Sequence, residues 1–422
     1  MKILVIGGGG REHAIIKKIK ENSHVSEIYA LPGNGGIAAD ATCVDIKATD
    51  IQGITDFAVK AGIDYAVVAP DDPLCLGAVD ELTKAGIPCF GPDKKAAIIE
   101  GSKAFSKDLM KKYGIPTASY EIFTDKDAAL AYLDSVSYPT VVKADGLALG
   151  KGVIIAQSKD EAVAAVCDMM DGKLFGESGS RVVIEEFLTG PEISVLAFTD
   201  GKCVKPMVSS MDHKRALDGD MGLNTGGMGT IAPNPYYTPD VADECMKKIF
   251  IPTIKAMNAE GRTFKGCLYF GLMLTENGPK VIEYNCRFGD PETQVVLPLL
   301  KSDLLDIMMA TTDGTLSETA VEFESGAAAC VVMASGGYPA SYPKGFEIDI
   351  PEDIAEHVYV AGAALKDGKL VTSGGRVLGV TAKADTLENA LSAAYERVSQ
   401  ISFEGAFYRK DIGKRALLKT EG

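Results

Sequence analysis

The chain has 422 residues, an apolar fraction of 46% and 45 glycines. This length predicts two to four structural units with large cores, at roughly 100–200 residues per domain. The formal net charge of −15 argues against a non-specific nucleic-acid or anionic-membrane binder, because both need a basic surface.

The nine cysteines are scattered, and no pair has the C-x-x-C spacing of zinc-ribbon or thioredoxin-like sites. Cys267 and Cys330 lie in apolar runs and are predicted to be buried thiols of a reducing compartment. The N-terminus lacks the features of a signal peptide, and no apolar run reaches the ~18 residues of a membrane span. We therefore expect a cytoplasmic protein without a transmembrane helix.

The first hundred residues alternate apolar runs with helical patterns. Strands are predicted at residues 2–6, 28–31 and 64–69, with helical stretches between them. Strands that alternate with helices predict an open parallel sheet with helices on both faces. We expect an α/β domain over residues 1–103.

The remainder is predicted to be α+β. Residues 104–190 contain predicted strands at 140–143, 153–156 and 182–186. Residues 191–325 include a predicted hairpin around Asn277-Gly278, a dipeptide typical of tight turns between strands. Residues 326–422 are predicted to form a small domain with an antiparallel sheet, which includes the strand 327–334.

A glycine turn, residues 7–10, joins the first predicted strand to a helix, a place where backbone N–H groups can bind an anion. The third glycine of a dinucleotide-binding motif is absent, because Glu12 or His13 stands at its position. The second strand also ends without the acid that would bind a ribose. NAD is therefore not expected, while a phosphate or phosphoribose ligand and a purely structural turn both stay open.

A second glycine-rich loop follows Lys143, the last residue of an apolar strand, and contains Lys151. It is not a Walker A loop, because Gly152 replaces the magnesium-binding hydroxyl and a strand follows from Val153. A loop that folds over nucleotide phosphates, with the two lysines as point charges, fits better. An exposed hairpin loop is the alternative.

Two further strands end in polar residues. The strand 182–186 runs into a connector whose backbone could meet an adenine, and Glu192 could bind ribose hydroxyls. On the strand 280–284 and its extension, Glu283 and Asn285 are two apart and share a face, on which Val281 is also expected. Two hard oxygen ligands suit Mg²⁺, and a solvated edge strand is the alternative.

Two further clusters of charged residues lie near these strands in the sequence. Residues 286–292 combine Arg287 with two carboxylates, and an arginine there could clamp a carboxylate or phosphate. Residues 212–215, Asp-His-Lys-Arg, precede the glycine-rich segment 224–229 and again suggest anion binding. A solvated surface charge run is the alternative. No Ser-His-Asp arrangement is present, and none of the four histidines is assigned a catalytic role.

Together these motifs resemble the ATP-grasp superfamily, and the whole chain resembles the phosphoribosylamine–glycine ligase family. The most specific segments are residues 142–146, 212–215, 224–229 and 287–292. The resemblance implies an N-terminal open parallel-sheet domain, a two-lobed ATP-grasp module with lobes at 104–190 and 191–325, and a C-terminal domain from 326.

The family resemblance also implies the reaction. ATP phosphorylates the carboxylate of glycine, and the amine of 5-phosphoribosylamine attacks the glycyl phosphate to give glycinamide ribonucleotide, ADP and phosphate in purine biosynthesis. Catalysis would then be positioning and charge neutralisation, with ATP and Mg²⁺ or Mn²⁺ as cofactors. The implied partners are the two small-molecule substrates, without nucleic acid or membrane, for a monomer or weak oligomer.

Residue roles follow from the same resemblance. The implied metal ligands are Glu283 and Asn285. The implied nucleotide-binding residues are Lys103, Lys143, Gly150, Glu185, Phe187, Leu188 and Glu192. The implied phosphoribosylamine-binding residues are Gly9, Arg11, Asn34, Asp71 and Pro73. The residues implied near glycine and the acyl phosphate are Lys151, Asp212, Lys214, Arg287 and Asp290.

Three positions depart from the family pattern. Asp71 stands where a glutamate is usual, Leu223 stands where a proline usually precedes Asn224, and residues 360–363 read Val-Ala-Gly-Ala instead of His-Ala-Gly-Thr. Other hypotheses are a different ATP-grasp carboxylate–amine ligase, an NAD-dependent oxidoreductase and a nucleotide-binding module without catalysis.

Overall fold

The computed structural model describes residues 1–147, 152–171 and 179–420. Its N-terminal part is a parallel sheet flanked by helices, as predicted. The strands are β1 (Lys2–Gly7), β2 (Glu27–Pro32), β3 (Thr42–Cys43), β4 (Tyr65–Val68) and β5 (Cys89–Phe90), in the order β3-β2-β1-β4-β5. The helices are α1 (Gly10–Ile19), α2 (Ile51–Ala61), α3 (Asp71–Leu76), α4 (Ala78–Lys84) and α5 (Lys94–Gly101). Because β1 and β4 are parallel, the glycine turn after β1 and Asp71 after β4 lie at the same edge of the sheet.

The next part is a four-stranded antiparallel sheet with helices. Its elements are α6 (Lys103–Tyr113), β6 (Tyr120–Phe123), α7 (Lys126–Tyr132), β7 (Thr140–Ala144), β8 (Val153–Ala156), α8 (Lys159–Met170) and β9 (Val182–Glu186), with the strand order β6-β9-β7-β8. The hydroxyl of Ser102 caps α6 by accepting the Phe105 N–H, and Gly114 ends the helix at a φ of 66°. The strands predicted at 140–143, 153–156 and 182–186 are confirmed.

The central part adds a second antiparallel sheet, in the order β11-β10-β16-β17. The strands of this sheet are β10 (Glu192–Thr199), β11 (Val204–Pro206), β16 (Gly266–Thr275) and β17 (Gly278–Asn285). The central part also contains the strands β12 (Met211–Asp212), β13 (Arg215–Leu217), β14 (Met221–Asn224) and β15 (Gly229–Ala232), and β13 pairs with β14. The helices of the central part are α9 (Pro239–Cys245), α10 (Ile251–Ala259), α11 (Thr293–Leu299) and α12 (Leu304–Asp313). The predicted hairpin around Asn277-Gly278 is confirmed as β16–β17.

A β-bulge in β17 corrects one prediction. The pairing steps from Gly271–Glu283 to Leu272–Val281, so Ile282 is an extra residue that interrupts the alternation of side chains. Val281 is therefore fully buried in the core and does not share a face with Glu283, while Ile282 lines the cavity beside Glu283. The expectation that Val281 would share that face was wrong, because a bulge cannot be read from strict alternation.

The C-terminal part forms an antiparallel sheet, in agreement with the predicted fold class. Its elements are β18 (Ala327–Ala334), β19 (Val358–Val360), β20 (Ala363–Lys366), β21 (Lys369–Thr372), β22 (Arg376–Ala384), α13 (Leu387–Val398) and α14 (Lys414–Thr420). The sheet order is β12-β15-β18-β22-β19. Two of its strands thus come from the central part, so the segment that leads into β13 and β14 is anchored on this sheet.

The hydrophobic core continues between the parts. Leu4 and Leu31 of the parallel sheet belong to the same buried cluster as Phe270 and Val281 of the β16–β17 hairpin. Cys267 and Cys330 are fully buried, as predicted, and all nine cysteines are free thiols. Within the described ranges, no helix is long and apolar enough to cross a membrane. The shared core fixes the N-terminal sheet edge against β17.

Candidate active site

A cavity of about 660 Å³ lies where the parts meet. Most of the residues assigned by resemblance line it. They are Arg11, Asp71, Lys103, Lys143, Glu185, Phe187, Leu188, Glu192, Asp212, Lys214, Glu283, Asn285, Arg287 and Asp290. Gly9, Asn34 and Pro73 do not line it, and Gly150 and Lys151 lie outside the described residues.

A buried ion cluster stands on one wall of the cavity. The carboxylate of Glu185 on β9 forms ion pairs with Lys143 on β7 and Lys107 on α6, and all three side chains are at most 5% exposed. Burial raises the pKa of Glu185, but the two ammonium groups outweigh it, so the pKa lies below its ordinary value. Burial lowers the pKa of Lys107 to about 8, with Glu185 opposing the shift. Glu185 thus holds both ammonium groups in fixed positions at the cavity wall.

The start of the glycine-rich loop is tied to the N-terminus of α6. Lys103 Nζ donates to the carbonyl of Gly146 over 2.6 Å, and Asp145 Oδ1 accepts the Ala104 N–H over 3.0 Å. Arg181 also pairs with Asp145, at 2.9 Å from its Nε. A carboxylate at a helix N-terminus is stabilised by the free N–H groups there. These bonds place Lys103 and the beginning of the loop together at the cavity.

Glu283 and Asn285 present oxygen atoms to the cavity from β17. Glu283 Oε1 is 3.9 Å from Lys214 Nζ, and Asn285 Oδ1 accepts from Arg287 Nη2 over 3.1 Å. Burial raises the pKa of Glu283, but the positive charges of Lys214, Lys143 and Lys103 outweigh this effect. The pKa of the Glu283 carboxyl therefore lies below its ordinary value. A carboxylate and an amide oxygen fit Mg²⁺, which takes one or two protein ligands and completes its shell with water and phosphate oxygens. Among the described residues, no group of three or more His, Cys, Asp or Glu is arranged to hold a metal ion.

Arg287 is held by a buried carboxylate that sequence reasoning missed. Glu100 Oε1 accepts from Arg287 Nη2 over 2.9 Å, and Glu100 Oε2 accepts the Cys286 N–H over 2.7 Å. The Nε atom of Arg287 is buried and has no hydrogen-bond partner among the described residues. A buried donor without a partner is rare in native proteins, so this one suits an anionic ligand in the cavity.

A group of carboxyls and hydroxyls lies near Asp212. Glu292 Oε1 accepts from Tyr269 Oη over 3.2 Å, and that hydroxyl is 2.8 Å from Ser194 Oγ. Burial raises the pKa values of both Asp212 and Glu292, and the repulsion between them raises that of Asp212 further. Lys214 Nζ lies 3.2 Å from Glu192 Oε2 and 3.9 Å from Glu283 Oε1. The arrangement suits a cationic or hydrogen-bond-donating ligand group.

The glycine turn after β1 is closely packed. A Cβ atom on Gly8 would lie 2.3 Å from the carbonyl oxygen of Gly33. The N–H of Gly9 donates to Glu12 Oε2 over 2.6 Å, and Arg11 Nε lies 2.6 Å from Glu12 Oε1. Glu12 therefore occupies the N–H that a pyrophosphate would use, which agrees with the absence of a dinucleotide motif.

Asn34 and Pro73 have contacts within the protein. The Asn34 amide donates to the carbonyls of Gly8 and Val360, over 3.0 and 2.8 Å, while its oxygen accepts the N–H groups of Gly36 and Ile37. Pro73 is buried in α3. Substrate contacts by these two residues stay predictions, as do the roles of the cavity residues.

Sequence reasoning missed Lys107, Glu100 and Arg376, all of which line the cavity, and it noted Glu292 only as one carboxylate of the 286–292 cluster. Lys107 had a signal, because it follows Lys103 by four residues and therefore shares its face of α6. Arg376 had none, since it comes from β22, distant in sequence from every cavity residue assigned by resemblance.

Comparisons with known protein families match three domains of one family, in order, along the chain. Residues 1–100 match the family described as phosphoribosylglycinamide synthetase, N domain. Residues 101–293 match its ATP-grasp (A) domain, and residues 328–415 match its C domain.

Individual relatives extend this agreement. A phosphoribosylamine–glycine ligase of Caldanaerobacter subterraneus is 50% identical over 98% of this chain and 99% of its own length. The protein of the same name from Haemophilus influenzae is 49% identical over 99% of each chain. A trifunctional purine biosynthetic protein of Gallus gallus is 48% identical over 99% of this chain and 42% of its own length.

Solved structures give the same result. A crystal structure of phosphoribosylamine–glycine ligase from Thermotoga maritima has a TM-score of 0.87 at 36% identity, covering 98% of this chain and 100% of that one. The biotin carboxylase domain of a Hydrogenobacter thermophilus carboxylase, crystallised with MgADP, has a TM-score of 0.74 at 18% identity over 96% of this chain and 91% of that one, which shows a shared fold only. With all three family domains matched in order and relatives about half identical over their full length, the chain belongs to the phosphoribosylamine–glycine ligase family.

Proposed function

We propose that the cavity is the active site in which this chain performs the reaction of its family, the ATP-dependent ligation of glycine to 5-phosphoribosylamine in purine biosynthesis. The observation that carries the assignment is the convergence of Lys103, Lys143, Lys214 and Arg287 around Glu283 and Asn285 in one cavity of an acidic protein. A local concentration of cations beside two hard oxygen ligands is what a triphosphate and its metal require.

The chemistry needs no protein nucleophile. A carboxylate oxygen is a poor leaving group, so glycine is first phosphorylated by ATP and then attacked by the amine of the sugar phosphate. The protein's contribution is to hold the reacting groups together and to neutralise charge on the transferred phosphoryl group. Lys103 and Lys143 would bind nucleotide phosphates, and Lys214 and Arg287 would bind glycine or the acyl phosphate.

Magnesium is the metal we assign, with manganese as an alternative because oxygen ligands suit both ions. Glu283 and Asn285 would hold it, since their donor set fits a hard divalent cation. When bound, the ion would supply further neutralisation of phosphate charge.

The remaining residue roles rest on family resemblance. We assign Phe187, Leu188 and the backbone of Glu185 to the adenine, and Glu192 to the ribose. Gly9, Arg11, Asn34, Asp71 and Pro73 form the phosphoribosylamine side, and Gly150 and Lys151 are assigned to the loop over the phosphates. Asp212 and Asp290 are assigned to the glycine and acyl-phosphate region.

The expected partners are the two small-molecule substrates. The net charge of −15 argues against nucleic acid and anionic membranes. We keep the expectation of a cytoplasmic monomer or weak oligomer.

A coupled assay of ADP release, with each substrate omitted in turn, tests the proposal. We expect ADP release to require both glycine and 5-phosphoribosylamine. Hydroxylamine trapping of the acyl phosphate across the amino acids tests the choice of glycine. ADP release that ignores both substrates, or efficient trapping with a different amino acid, would contradict it.

A further inference from the structure

The C-terminal sheet contributes one arginine to the cavity, Arg376, and no role has yet been given to it. Arg376 is the first residue of β22, lines the cavity, and its side chain is 21% exposed. Every residue assigned above to a substrate or to the metal precedes β18. Arg376 therefore enters the site from a part of the chain that the proposed chemistry has not used.

Its first contact is with the glycine-rich segment between β14 and β15. Arg376 Nη1 donates to the carbonyl of Gly226 over 2.6 Å and lies 3.4 Å from the carbonyl of Gly227. A Cβ atom on Gly226 would lie 2.8 Å from the guanidinium carbon, so glycine is needed for this approach. On Gly227, whose φ is 114°, a Cβ atom would lie 2.5 Å from Asp212 Oδ1. The turn that Arg376 holds is thus packed directly against Asp212.

Its second contact is with Asp290, in the loop between β17 and α11. Arg376 Nη1 donates to the backbone carbonyl of Asp290 over 2.8 Å, and Nη2 lies 3.4 Å from Asp290 Oδ2. Asp290 Oδ1 accepts from Gln294 over 2.7 Å. A Cβ atom on Gly9 would lie 3.5 Å from Asp290 Oδ2, so this carboxylate borders the glycine turn after β1.

We propose that Arg376 is a positioning residue for the ligation reaction, because one guanidinium ties the segment that bears Gly226 and Gly227 to the loop that bears Asp290. It fixes Asp212 and Asp290 relative to each other, across the region where the acyl phosphate meets the amine. This inference rests on the proposed function of the cavity. It extends that function to a residue outside the ATP-grasp module.

The shape of the guanidinium is essential to this role. Its planar fork can donate to two carbonyls and a carboxylate at once, whereas the ammonium of lysine is a compact point charge on a flexible stem. A lysine at position 376 would keep the charge and lose the simultaneous bonds. The Arg376→Lys variant therefore separates geometry from charge.

The test compares Arg376→Ala and Arg376→Lys with the matched control Arg397→Ala in the full chain. Arg397 lies on α13 of the same C-terminal part, where its Nη1 donates to the carbonyl of Thr381 over 2.6 Å, away from the cavity. ADP release would be measured with each substrate varied, and folding by circular dichroism and thermal unfolding. Guanidinium chloride at low millimolar concentration would be added to each variant, to replace the missing group.

We expect kcat of Arg376→Ala to fall about 10- to 100-fold, the scale of a misplacement of about 1 Å at a reacting centre. The KM for ATP should change less than about threefold, because the described polar contacts of Arg376 are with Gly226, Gly227 and Asp290 and not with Lys103 or Lys143. The kcat of Arg376→Lys should stay well below the wild-type value, and the kcat of Arg397→Ala should match it. Added guanidinium should raise the rate of Arg376→Ala and of no other variant.

A wild-type kcat in Arg376→Ala would overturn the inference. A fall in activity that is fully explained by a smaller folded fraction, and that guanidinium does not reverse, would overturn it as well. Wild-type protein without substrate-dependent ADP release would overturn the proposed function itself. An active wild type with an equally active Arg376→Ala overturns only the role of Arg376. The two failures are therefore distinguishable.

Discussion

Lys143 and Glu185 form a buried ion pair between β7 and β9, and the side chains are only 5% and 4% exposed. Glu185 also pairs with Lys107 on α6, so one carboxylate compensates two ammonium groups. A buried charge is tolerated only when it is paired, because its removal from water is costly. The pairing therefore makes the position of Lys143 depend on a residue of the neighbouring strand.

Replacement of Glu185 by glutamine should destabilise the protein and weaken ATP binding. The change leaves Lys107 and Lys143 buried without a counter-charge, and breaking a buried pair of this kind costs about 3–5 kcal/mol. We expect a lower free energy of unfolding in urea and a higher KM for ATP. Glu121→Gln, an exposed change on β6 of the same sheet, is the control. Equal stability of the two variants would contradict the prediction.

Loss of Glu283 should raise the requirement for metal. In Glu283→Ala, one of the two assigned ligands is gone, while Lys214 loses a nearby carboxylate. We expect the Mg²⁺ concentration for half-maximal activity to rise and kcat to fall by about 100-fold, the usual scale for losing a strong charge-stabilising group. Binding of Mn²⁺ followed by electron paramagnetic resonance gives a readout independent of turnover. Glu276→Ala, in the turn of the same hairpin, should behave as wild type, and full turnover in Glu283→Ala would refute the metal assignment.

His213 should make the protein sensitive to acid. Its Nε2 accepts the Gly413 N–H over 3.1 Å and its Nδ1 lies 3.1 Å from the Gly229 carbonyl, a pattern that requires the neutral ring. Burial first, and then Arg409, lowers the pKa of His213 from 6.5 to about 4. The unfolded chain therefore binds the proton more tightly, so the stabilisation is complete above about pH 6.5 and is lost as the pH falls toward 4.

The size of this effect can be measured against a non-titrating variant. A depression of this extent corresponds to about 3 kcal/mol. His213→Gln can keep an acceptor and a donor at the same places but does not titrate. Urea unfolding at pH 7 and pH 4.5 should show a smaller loss of stability in the variant than in wild type. The same pH dependence in both proteins would show that His213 is not the responsible group.

Arg409 should anchor the hairpin of β13 and β14. Its buried guanidinium binds Asp411 through Nε and Nη2, at 2.8 and 2.9 Å, and Asp220 through Nη1 at 2.9 Å. Arg409→Met removes this partner from two carboxylates that are 20% and 36% exposed, and Asp220 keeps Arg415, so we expect a loss of about 1–3 kcal/mol of stability. Limited proteolysis should then cut the hairpin, residues 215–224, faster than in wild type.

The neighbouring Lys410 supplies the control for Arg409. Its side chain is exposed, while its backbone N–H donates to Asp218 over 2.7 Å and survives a side-chain change. Lys410→Met should leave both the stability and the cleavage pattern unchanged. Faster cleavage in this variant too would mean that the charge of the segment, and not the Arg409 ion pairs, protects the hairpin.

The sequence by itself determined the local structure and much of the candidate site. Period-two apolar runs and the Asn277-Gly278 turn predicted the β16–β17 hairpin, because both signals lie within a few residues. Spacing on one strand likewise placed Glu283 and Asn285 together. The division of the chain near residues 103, 190 and 325 stays a prediction, and the C-terminal sheet also contains β12 and β15 from the central part.

Only the tertiary structure decided which charges are paired and what lies across the cavity. Glu100 binds Arg287 from 187 residues away, and Arg376 binds the Asp290 carbonyl from 86 residues away. The bulge at Ile282 and the burial of Glu185 between two lysines also depend on neighbouring strands. The physical reason is that backbone periodicity is set by adjacent residues, whereas burial and ion pairing depend on which distant segments the fold brings into contact.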